Sequence, residues 1–247
     1  MAERCTHPIM VALDVPEADA ARKLAARFEG IPIWLKVGME LYYAAGPALV
    51  RELKAQGHRI FLDLKLHDIP NTVRGAARSV ARLGVDMFNV HAAGGGAMMR
   101  AAIEGAEEAV REGVPQPYVI AVTQLTSTSE ETMRREIGID APLADVVVRY
   151  ATLAKAAGLH GVVSSAREAA AIKAACGGDF LTVTPGIRPA GADVGDQARV
   201  LTPSEAIAAG ADYLVIGRPI TAAPDPREAL LRVIEELRQT SEEAFNK

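Results

Sequence analysis

The sequence has few cysteines, few aromatic residues and no long apolar run. Its 247 residues include two cysteines, one tryptophan and 4% aromatic residues in all. Cys5 and Cys176 have neither the spacing of a metal site nor the number that a disulfide framework needs, so we expect reduced thiols. No apolar segment reaches the roughly 20 residues of a membrane-spanning helix. The amino terminus also lacks the pattern of a signal peptide, which predicts a cytoplasmic protein with no membrane partner.

A strong excess of charge of one sign is missing too. The 27 basic and 31 acidic residues give a formal net charge of −4, and the basic residues are scattered along the chain. Proteins that bind nucleic acids or anionic membranes usually concentrate lysine and arginine on one surface. The composition therefore favours a small-molecule partner and no nucleic acid.

Short runs rich in β-branched residues alternate with longer alanine-rich segments of helical period along the whole chain. Eight runs have the character of strands: IMVALD, IWLKVG, RIFLDLK, MFNVHA, YVIAVT, GVVSS, FLTVTPG and YLVIGR. Eight βα units predict an α/β fold, a single (β/α)8 TIM barrel, with residues 1–247 as one domain. An open doubly wound sheet is the alternative, but it usually has fewer units.

Charged residues interrupt or close three of the predicted strands. Asp63 and Lys65 fall within the third strand, and strand alternation places both on the face opposite Leu64. Because a buried ion pair is costly, stability alone rarely explains its presence. Asp14 closes the first strand and Lys36 lies near the end of the second. TIM-barrel active sites lie at these strand ends, so the four side chains predict one lumen-facing network of alternating charge.

Glycine, proline and arginine are concentrated in two segments late in the chain, residues 183–200 and 215–221. The loops after strands seven and eight of a TIM barrel often bind phosphate through backbone N–H groups and a cation. Arg188 and Arg218 would supply the cations. The connection at 184–199 is long for a βα loop, which predicts a lid over the substrate, although surface loops also have this composition.

Three further segments have weaker signals. The hydroxyl-rich residues 123–129 predict either neutral hydrogen bonds to a heterocyclic amide or a capped turn. His67 and His91 lie at or just after strand ends, where structural and acid–base roles are both open. HAAGGGAMM at 91–99 lacks the G-x-G-x-x-G spacing, so it predicts no dinucleotide site.

Many of these segments resemble the orotidine 5′-phosphate decarboxylase family. The resemblance covers nearly the whole chain, through VALDV, LKVGMELYYAAGP, FLDLKLHDIPNT, NVHAAGG, AVTQLTSTS, VTPGIRP and VIGRPIT. Its most specific part is a D-x-K-x-x-D core formed by Asp63, Lys65 and Asp68, joined to Lys36. The resemblance implies decarboxylation of orotidine 5′-phosphate to UMP and CO2, with no cofactor and no metal.

The resemblance also implies roles for individual residues. Lys65 would give a proton to C6 of the pyrimidine after CO2 leaves, and Asp63 would lie beside the departing carboxylate. Lys36 and Asp68 would complete the charge network. Asp68 and Thr72 would reach into the neighbouring subunit's site, which implies a homodimer. The other implied substrate contacts are Asp14 and Lys36 at the ribose, Thr126 in the loop after the fifth strand, Gln197 between pyrimidine and phosphate, and Arg188, Gly217 and Arg218 at the phosphate.

Two alternative interpretations use the same barrel. Metal-dependent sugar-phosphate decarboxylases and hexulose-phosphate synthases also carry D-x-K-x-x-D, but they place a glutamate metal ligand where this chain has Lys36. A lysine there would repel a divalent cation. A non-catalytic barrel that binds nucleotide phosphates would keep the arginines, but it would not need the Asp63–Lys65 pair.

Overall fold

The computed structural model describes residues 7–189 and 201–245, and its strands form a closed parallel barrel. Each strand pairs with its neighbours in sequence, and β1 pairs with β8 to close the barrel. The strands are β1 Ile9–Ala12, β2 Trp34–Gly38, β3 Arg59–Leu66, β4 Met87–His91, β5 Tyr118–Val122, β6 Gly161–Val163, β7 Leu181–Thr184 and β8 Tyr213–Ile216. All eight predicted strands are confirmed, with ends that differ by a few residues.

Helices follow the strands in the predicted alternation. They are α1 Ala18–Ala26, α2 Met39–Ala55, α3 Pro70–Ala81, α4 Gly95–Arg111, α5 Glu130–Arg135, α6 Leu143–Ala156, α7 Ala166–Cys176, α8 Pro203–Ala208, α9 Arg218–Thr221 and α10 Pro226–Phe245. A 3₁₀ turn, Ala92–Gly94, precedes α4. The short helices α5 and α9 are additions to the simple βα unit. Within the described ranges, no helix has the length and apolar character needed to cross a bilayer.

The strands separate two apolar cores. The larger core lies between strands and helices and includes Val11, Leu35 and Leu62. The smaller core fills the barrel lumen with residues such as Trp34 and Phe61. Successive strand residues point to opposite faces, so the residues two positions beyond Trp34 and Phe61 also face the lumen. The strand pattern therefore places the charged side chains of Lys36 and Asp63 in the lumen, directly above the smaller apolar core.

Strand β3 is irregular where it carries its charged residues. Leu62 pairs with Phe88 and Leu66 pairs with Val90, so four positions along β3 match two positions along β4. Lys65 lies within this bulge and has a φ of 53°, which makes it a non-glycine residue with left-handed backbone. Bulges commonly redirect a side chain next to an active site. The bulge therefore decides where the Lys65 ammonium lies.

Candidate active site

A cavity of about 440 Å³ opens at the carboxyl ends of the strands. Lumen residues such as Ala12, Phe61 and Val215 form part of its lining. The structure brings eight of the predicted site residues into the same lining: Asp14, Lys36, Asp63, Lys65, Thr126, Arg188, Gly217 and Arg218. They come from six different strands or the loops that follow them, so only the closed barrel unites them.

Four charged side chains form a continuous chain along one wall of this cavity. The Lys36 ammonium donates a hydrogen bond of 2.8 Å to Asp14 Oδ1 and lies 3.6 Å from Asp63 Oδ2. The Lys65 ammonium donates a hydrogen bond of 2.7 Å to Asp63 Oδ1. Asp14 is exposed at the mouth, whereas Lys36 and Asp63 are buried. Each charge therefore has an opposite charge beside it, as the sequence predicted.

The carboxyl of Asp63 remains ionised despite its burial. Burial raises its pKa, but the ammoniums of Lys36 and Lys65 lower it, and so do the hydrogen bonds from Lys65 and Asn89. The lowering effects prevail and hold the Asp63 pKa below its ordinary value of 3.8. A carboxylate with several donors is stabilised in its charged form. The Asp63 carboxylate can therefore stay negatively charged next to the Lys65 ammonium.

Asn89 is a member of this site that the sequence pattern did not identify. Its side-chain amide donates a hydrogen bond of 2.7 Å to Asp63 Oδ1, and its carbonyl oxygen accepts one of 2.8 Å from the backbone N–H of Lys65. The available signal was an amide between the apolar residues Phe88 and Val90 of β4, two residues after lumen-facing Met87. A buried polar group in such a place needs hydrogen-bond partners.

The loop after β5 lines the cavity with its first half and caps a helix with its second half. The cap confirms the predicted turn, and the hydrogen bonds to a heterocyclic amide stay a prediction. Gln124, Leu125 and Ser127 line the cavity together with Thr126, although only Thr126 was predicted to do so. Ser129 instead caps α5, because its hydroxyl accepts a hydrogen bond from a backbone N–H of the first turn. The first half of the loop thus belongs to the cavity and the second half to a helix start.

The glycine-rich and arginine-rich segments meet at another part of the cavity. Gly186 has a φ of 79°, which glycine tolerates and other residues rarely adopt. The Arg188 guanidinium donates to the carbonyl of Ile187, and its backbone N–H donates to the carbonyl of Leu201. Residues 187 and 201 therefore lie side by side. Gln197 and most of the predicted lid lie outside the described residues.

Asp68 and Thr72 do not line this cavity. Both are exposed, in a run of exposed residues from His67 to Thr72 that covers the connection after β3 and the first turn of α3. The Asp68 carboxylate accepts a hydrogen bond of 2.6 Å from the backbone N–H of Ile69, a residue that is 67% exposed. Within the described part of the chain, the network thus joins Asp14, Lys36, Asp63 and Lys65, and Asp68 is not part of it.

The two undecided histidines pair with each other next to this network. The rings of His67 and His91 have centroids 5.5 Å apart. Burial, His67 and Lys65 lower the pKa of His91, while Asp63 opposes them. The lowered pKa favours the neutral form of the His91 imidazole. Neither histidine is in the cavity lining.

A TIM barrel with a buried ammonium–carboxylate network at its carboxyl-terminal mouth defines an enzyme of the (β/α)8 class. The sequence model of the "Orotidine 5′-phosphate decarboxylase / HUMPS family" matches residues 7–233. The chain therefore belongs to this family of TIM-barrel enzymes.

Individual relatives agree with the family match. The orotidine 5′-phosphate decarboxylase of Moorella thermoacetica is 56% identical over 230 residues, which cover 93% of this chain and 91% of that protein. The enzyme of the same name from Bacillus mycoides is 56% identical over 221 residues, covering 90% and 93%. The crystal structure of orotidine 5′-phosphate decarboxylase from Lactobacillus acidophilus superposes with a TM-score of 0.84 at 40% identity, covering 93% and 98%.

Proposed function

We propose that this protein decarboxylates orotidine 5′-phosphate to UMP and CO2, the last step of de novo UMP synthesis, without a cofactor. The observation that carries the proposal is the Lys65 ammonium, 2.7 Å from Asp63, in a cavity that Arg188 and Arg218 also line. Family membership and the names of the relatives support the same substrate. We further propose that residues 1–247 form one domain, since the barrel uses strands from both ends of the chain.

The proposed chemistry needs a cation at the carbon that loses CO2. When the C6–carboxylate bond breaks, CO2 leaves and the bonding electron pair stays on C6, where the ring has no good sink for it. A fixed ammonium stabilises this charge as it develops. Lys65 then gives a proton from Nζ to C6, which forms UMP, and the neutral amine regains a proton from solvent. Asp63 holds the ammonium in place and lies beside the departing carboxylate.

The remaining cavity residues bind parts of the substrate that do not react. Asp14 and Lys36 contact the ribose hydroxyls, and Thr126 contacts the pyrimidine. The phosphate is held by Arg188, Gly217 and Arg218. Gln197 bridges the phosphate and the pyrimidine. Binding energy from a remote phosphate can be used to position the reacting carbon, so these contacts affect turnover as well as affinity.

The proposed active unit is a homodimer. Asp68 and Thr72 are exposed and lie outside their own chain's cavity lining, and the apolar residue Ile69 between them is 67% exposed. A second copy of the chain would cover this apolar surface and receive Asp68 and Thr72 at its own site. Asp68 would then complete the charge network across the subunit boundary.

The metal-dependent alternative within the family has weaker support from the geometry. The ammonium of Lys36 lies between the carboxylates of Asp14 and Asp63, at 2.8 and 3.6 Å. These are the oxygen ligands that a divalent cation would need. The Lys36 ammonium already occupies the place between them and would repel a second cation, so the metal-independent reaction is the better fit.

An absorbance assay with excess chelator tests the proposed function directly. We expect purified protein to convert orotidine 5′-phosphate to UMP at the same rate with and without the chelator. Well-folded protein that shows no turnover, or turnover only after magnesium is added, would contradict the proposal.

A further inference from the structure

Asn89 connects the bulged strand β3 to the regular strand β4 at the centre of the site. It is 1% exposed. Its carbonyl oxygen accepts from the Lys65 backbone N–H at 2.8 Å, and its amide nitrogen donates to Asp63 Oδ1 at 2.7 Å. The same carboxylate oxygen accepts from the Lys65 ammonium at 2.7 Å. One side chain therefore contacts the backbone of one charged residue and the carboxylate of the other.

The orientation of the Asn89 amide follows from its partners. A backbone N–H can only donate, so it must face the carbonyl oxygen of the amide. An ionised carboxylate can only accept, so it must face the amide nitrogen. Both partners require the same orientation of the group, and the flipped amide would lose both hydrogen bonds. A short planar group with one acceptor and one donor satisfies both, and asparagine is the side chain of that size that provides them.

The backbone geometry explains why Lys65 needs this contact. Lys65 has a φ of 53°, an unfavourable conformation for a residue with a Cβ. The regular pairing of β3 with β4 stops after Leu62 and resumes at Leu66. The Asn89 side chain takes the place of the missing backbone partner for Lys65. Strained conformations persist only when their surroundings hold them, and Asn89 is the cross-strand contact that holds this one.

We infer that Asn89 is a positioning residue for decarboxylation: it holds the Asp63 carboxylate and the strained Lys65 backbone in the register that aims the Lys65 ammonium at the reacting carbon. The inference rests on the proposed function for the nature of the reaction. Asn89 does not act on the substrate itself, since it is absent from the cavity lining. Its loss should therefore reduce turnover much more than it weakens ligand binding.

The first test compares Asn89→Ala with Thr182→Val. Thr182 is a matched control because it is also buried in the barrel wall, where its hydroxyl bonds to Gly210 and Asp212 at the opposite end of the strands. We expect Asn89→Ala to lower kcat about 100-fold, the size of loss that a misplacement of about 1 Å can cause. KM and the dissociation constant of UMP should change less than about threefold, since the phosphate and ribose contacts remain. Thr182→Val should keep its kcat. A kcat for Asn89→Ala within about threefold of the unmodified enzyme would overturn the inference.

A second variant covers the case in which Asn89→Ala does not fold. Asn89→Asp keeps the shape and the acceptor for Lys65, but places a second carboxylate against Asp63. The titratable groups near it are Asp63 and Lys65 on β3, which it contacts, Lys36 on β2, which contacts Asp63, and His91 on its own strand. Two adjacent carboxylates hold a proton more tightly than one alone, and a shared proton restores a donor toward Asp63. The kcat of Asn89→Asp, relative to the unmodified enzyme, should therefore rise as pH falls from about 8 to about 6. If the kcat of Asn89→Asp relative to the unmodified enzyme does not change with pH, the positioning role of Asn89 is contradicted.

Hydrogen–deuterium exchange separates this inference from the proposed function, because it needs no substrate. The peptide spanning residues 61–68 should exchange faster in Asn89→Ala than in Thr182→Val, when the two variants are compared at equal global stability. Asn89→Asp replaces Asn89→Ala if the latter does not fold. Unchanged exchange of that peptide would overturn the inference even if the enzyme is active. Failure of the unmodified protein to convert orotidine 5′-phosphate, with faster exchange in the variant, would instead contradict only the proposed reaction.

Discussion

The Lys65 ammonium lies 2.7 Å from Asp63 Oδ1, and Lys65 adopts a φ of 53° where it makes this contact. A left-handed residue with a Cβ costs roughly 1–2 kcal/mol. Within the described chain, this is the one non-glycine residue with positive φ. Backbone strain of this kind is concentrated at functional sites, where the surrounding structure holds it. The strain therefore lies at the residue that we propose as the proton donor.

Replacing Lys65 with alanine should nearly abolish turnover. The variant loses both the cation that stabilises charge at C6 and the proton donor, so we expect kcat to fall by about 10⁴-fold or more. UMP should still bind, because the ribose and phosphate ligands remain. Steady-state kinetics and calorimetric titration of UMP measure the two effects.

Lys54→Ala is the matched control for that experiment. The Lys54 side chain is 25% exposed and lies 2.6 Å from Asp86, and the Lys65 side chain is 24% exposed and lies 2.7 Å from Asp63. Lys54 lies on α2, outside the cavity lining. Its removal should change stability but not kcat. Lys65→Ala protein that keeps most of its activity would remove Lys65 from its proposed role.

Asp63 should make stability depend on pH in the acid range. Its pKa is below the ordinary 3.8, so its ionised form stabilises the fold at neutral pH, and this contribution is lost as pH falls through the folded-state pKa. Asp63→Asn also leaves Lys36 and Lys65 without their shared carboxylate, so we expect a loss of about 3 kcal/mol in unfolding free energy at neutral pH.

Urea unfolding of both proteins at a series of pH values measures this difference. It should be constant above about pH 5 and shrink below the unfolded-state pKa of Asp63. Glu235→Gln is the control, because hydrogen bonds from Arg238 and Gln239 lower the pKa of Glu235 to about 2 on an exposed surface. Solvent screening should make its effect on stability much smaller. A difference for Asp63→Asn that does not change with pH would be inconsistent with a depressed pKa.

Arg218→Ala should weaken recognition of the phosphate. Loss of a charge-assisted hydrogen bond to an anion predicts an increase of roughly 10- to 100-fold in KM and a weaker competition by inorganic phosphate. A fall in kcat should accompany it, because phosphate binding energy also positions the substrate. Arg232→Ala, which removes an exposed arginine paired with Glu228 on α10, should leave both constants unchanged. If Arg218→Ala and Arg232→Ala have the same KM and kcat, the assignment of Arg218 to the phosphate is refuted.

Mixing two inactive variants tests whether the active site is shared between subunits. A hybrid dimer of Lys65→Ala and Asp68→Ala contains one site with both residues intact, so random exchange should restore about a quarter of the unmodified activity. Lys65→Ala mixed with Lys36→Ala is the control, because both residues belong to the same chain's site and no intact site can form. Absence of activity in the first mixture, with exchange demonstrated, would argue against the shared site.

Ile69→Asp should weaken the proposed dimer. Ile69 is 67% exposed beside Asp68, and a charge there would oppose burial against a second copy. Size-exclusion chromatography with light scattering should show a shift toward monomer. Leu231→Asp, at an apolar side chain that is 46% exposed on α10, should leave the assembly unchanged. An Ile69→Asp variant that remains a dimer would show that the interface lies elsewhere.

The sequence determined the fold class and most of the candidate site. Strand alternation is a local property with a period of two residues, so the lumen position of Lys36 could be read from its neighbours Leu35 and Val37, which pack toward the helices. The eight-unit count then placed the strand ends at a common mouth. Periodicity does not set where a strand ends: Ser165, predicted within the sixth strand, instead caps α7. Its hydroxyl can serve either structure, and only the geometry of the turn decides between them.

The tertiary structure decided how those residues meet. The bulge in β3, the left-handed backbone of Lys65 and the amide bridge from Asn89 all depend on the pairing of β3 with β4, whose contacting residues are more than twenty positions apart in sequence. Asp68 follows Lys65 closely in sequence, yet it lies in the turn before α3, exposed and outside the cavity lining. Local periodicity specifies which face a side chain occupies, but strand pairing sets the register across the barrel and thus the distances between charged groups.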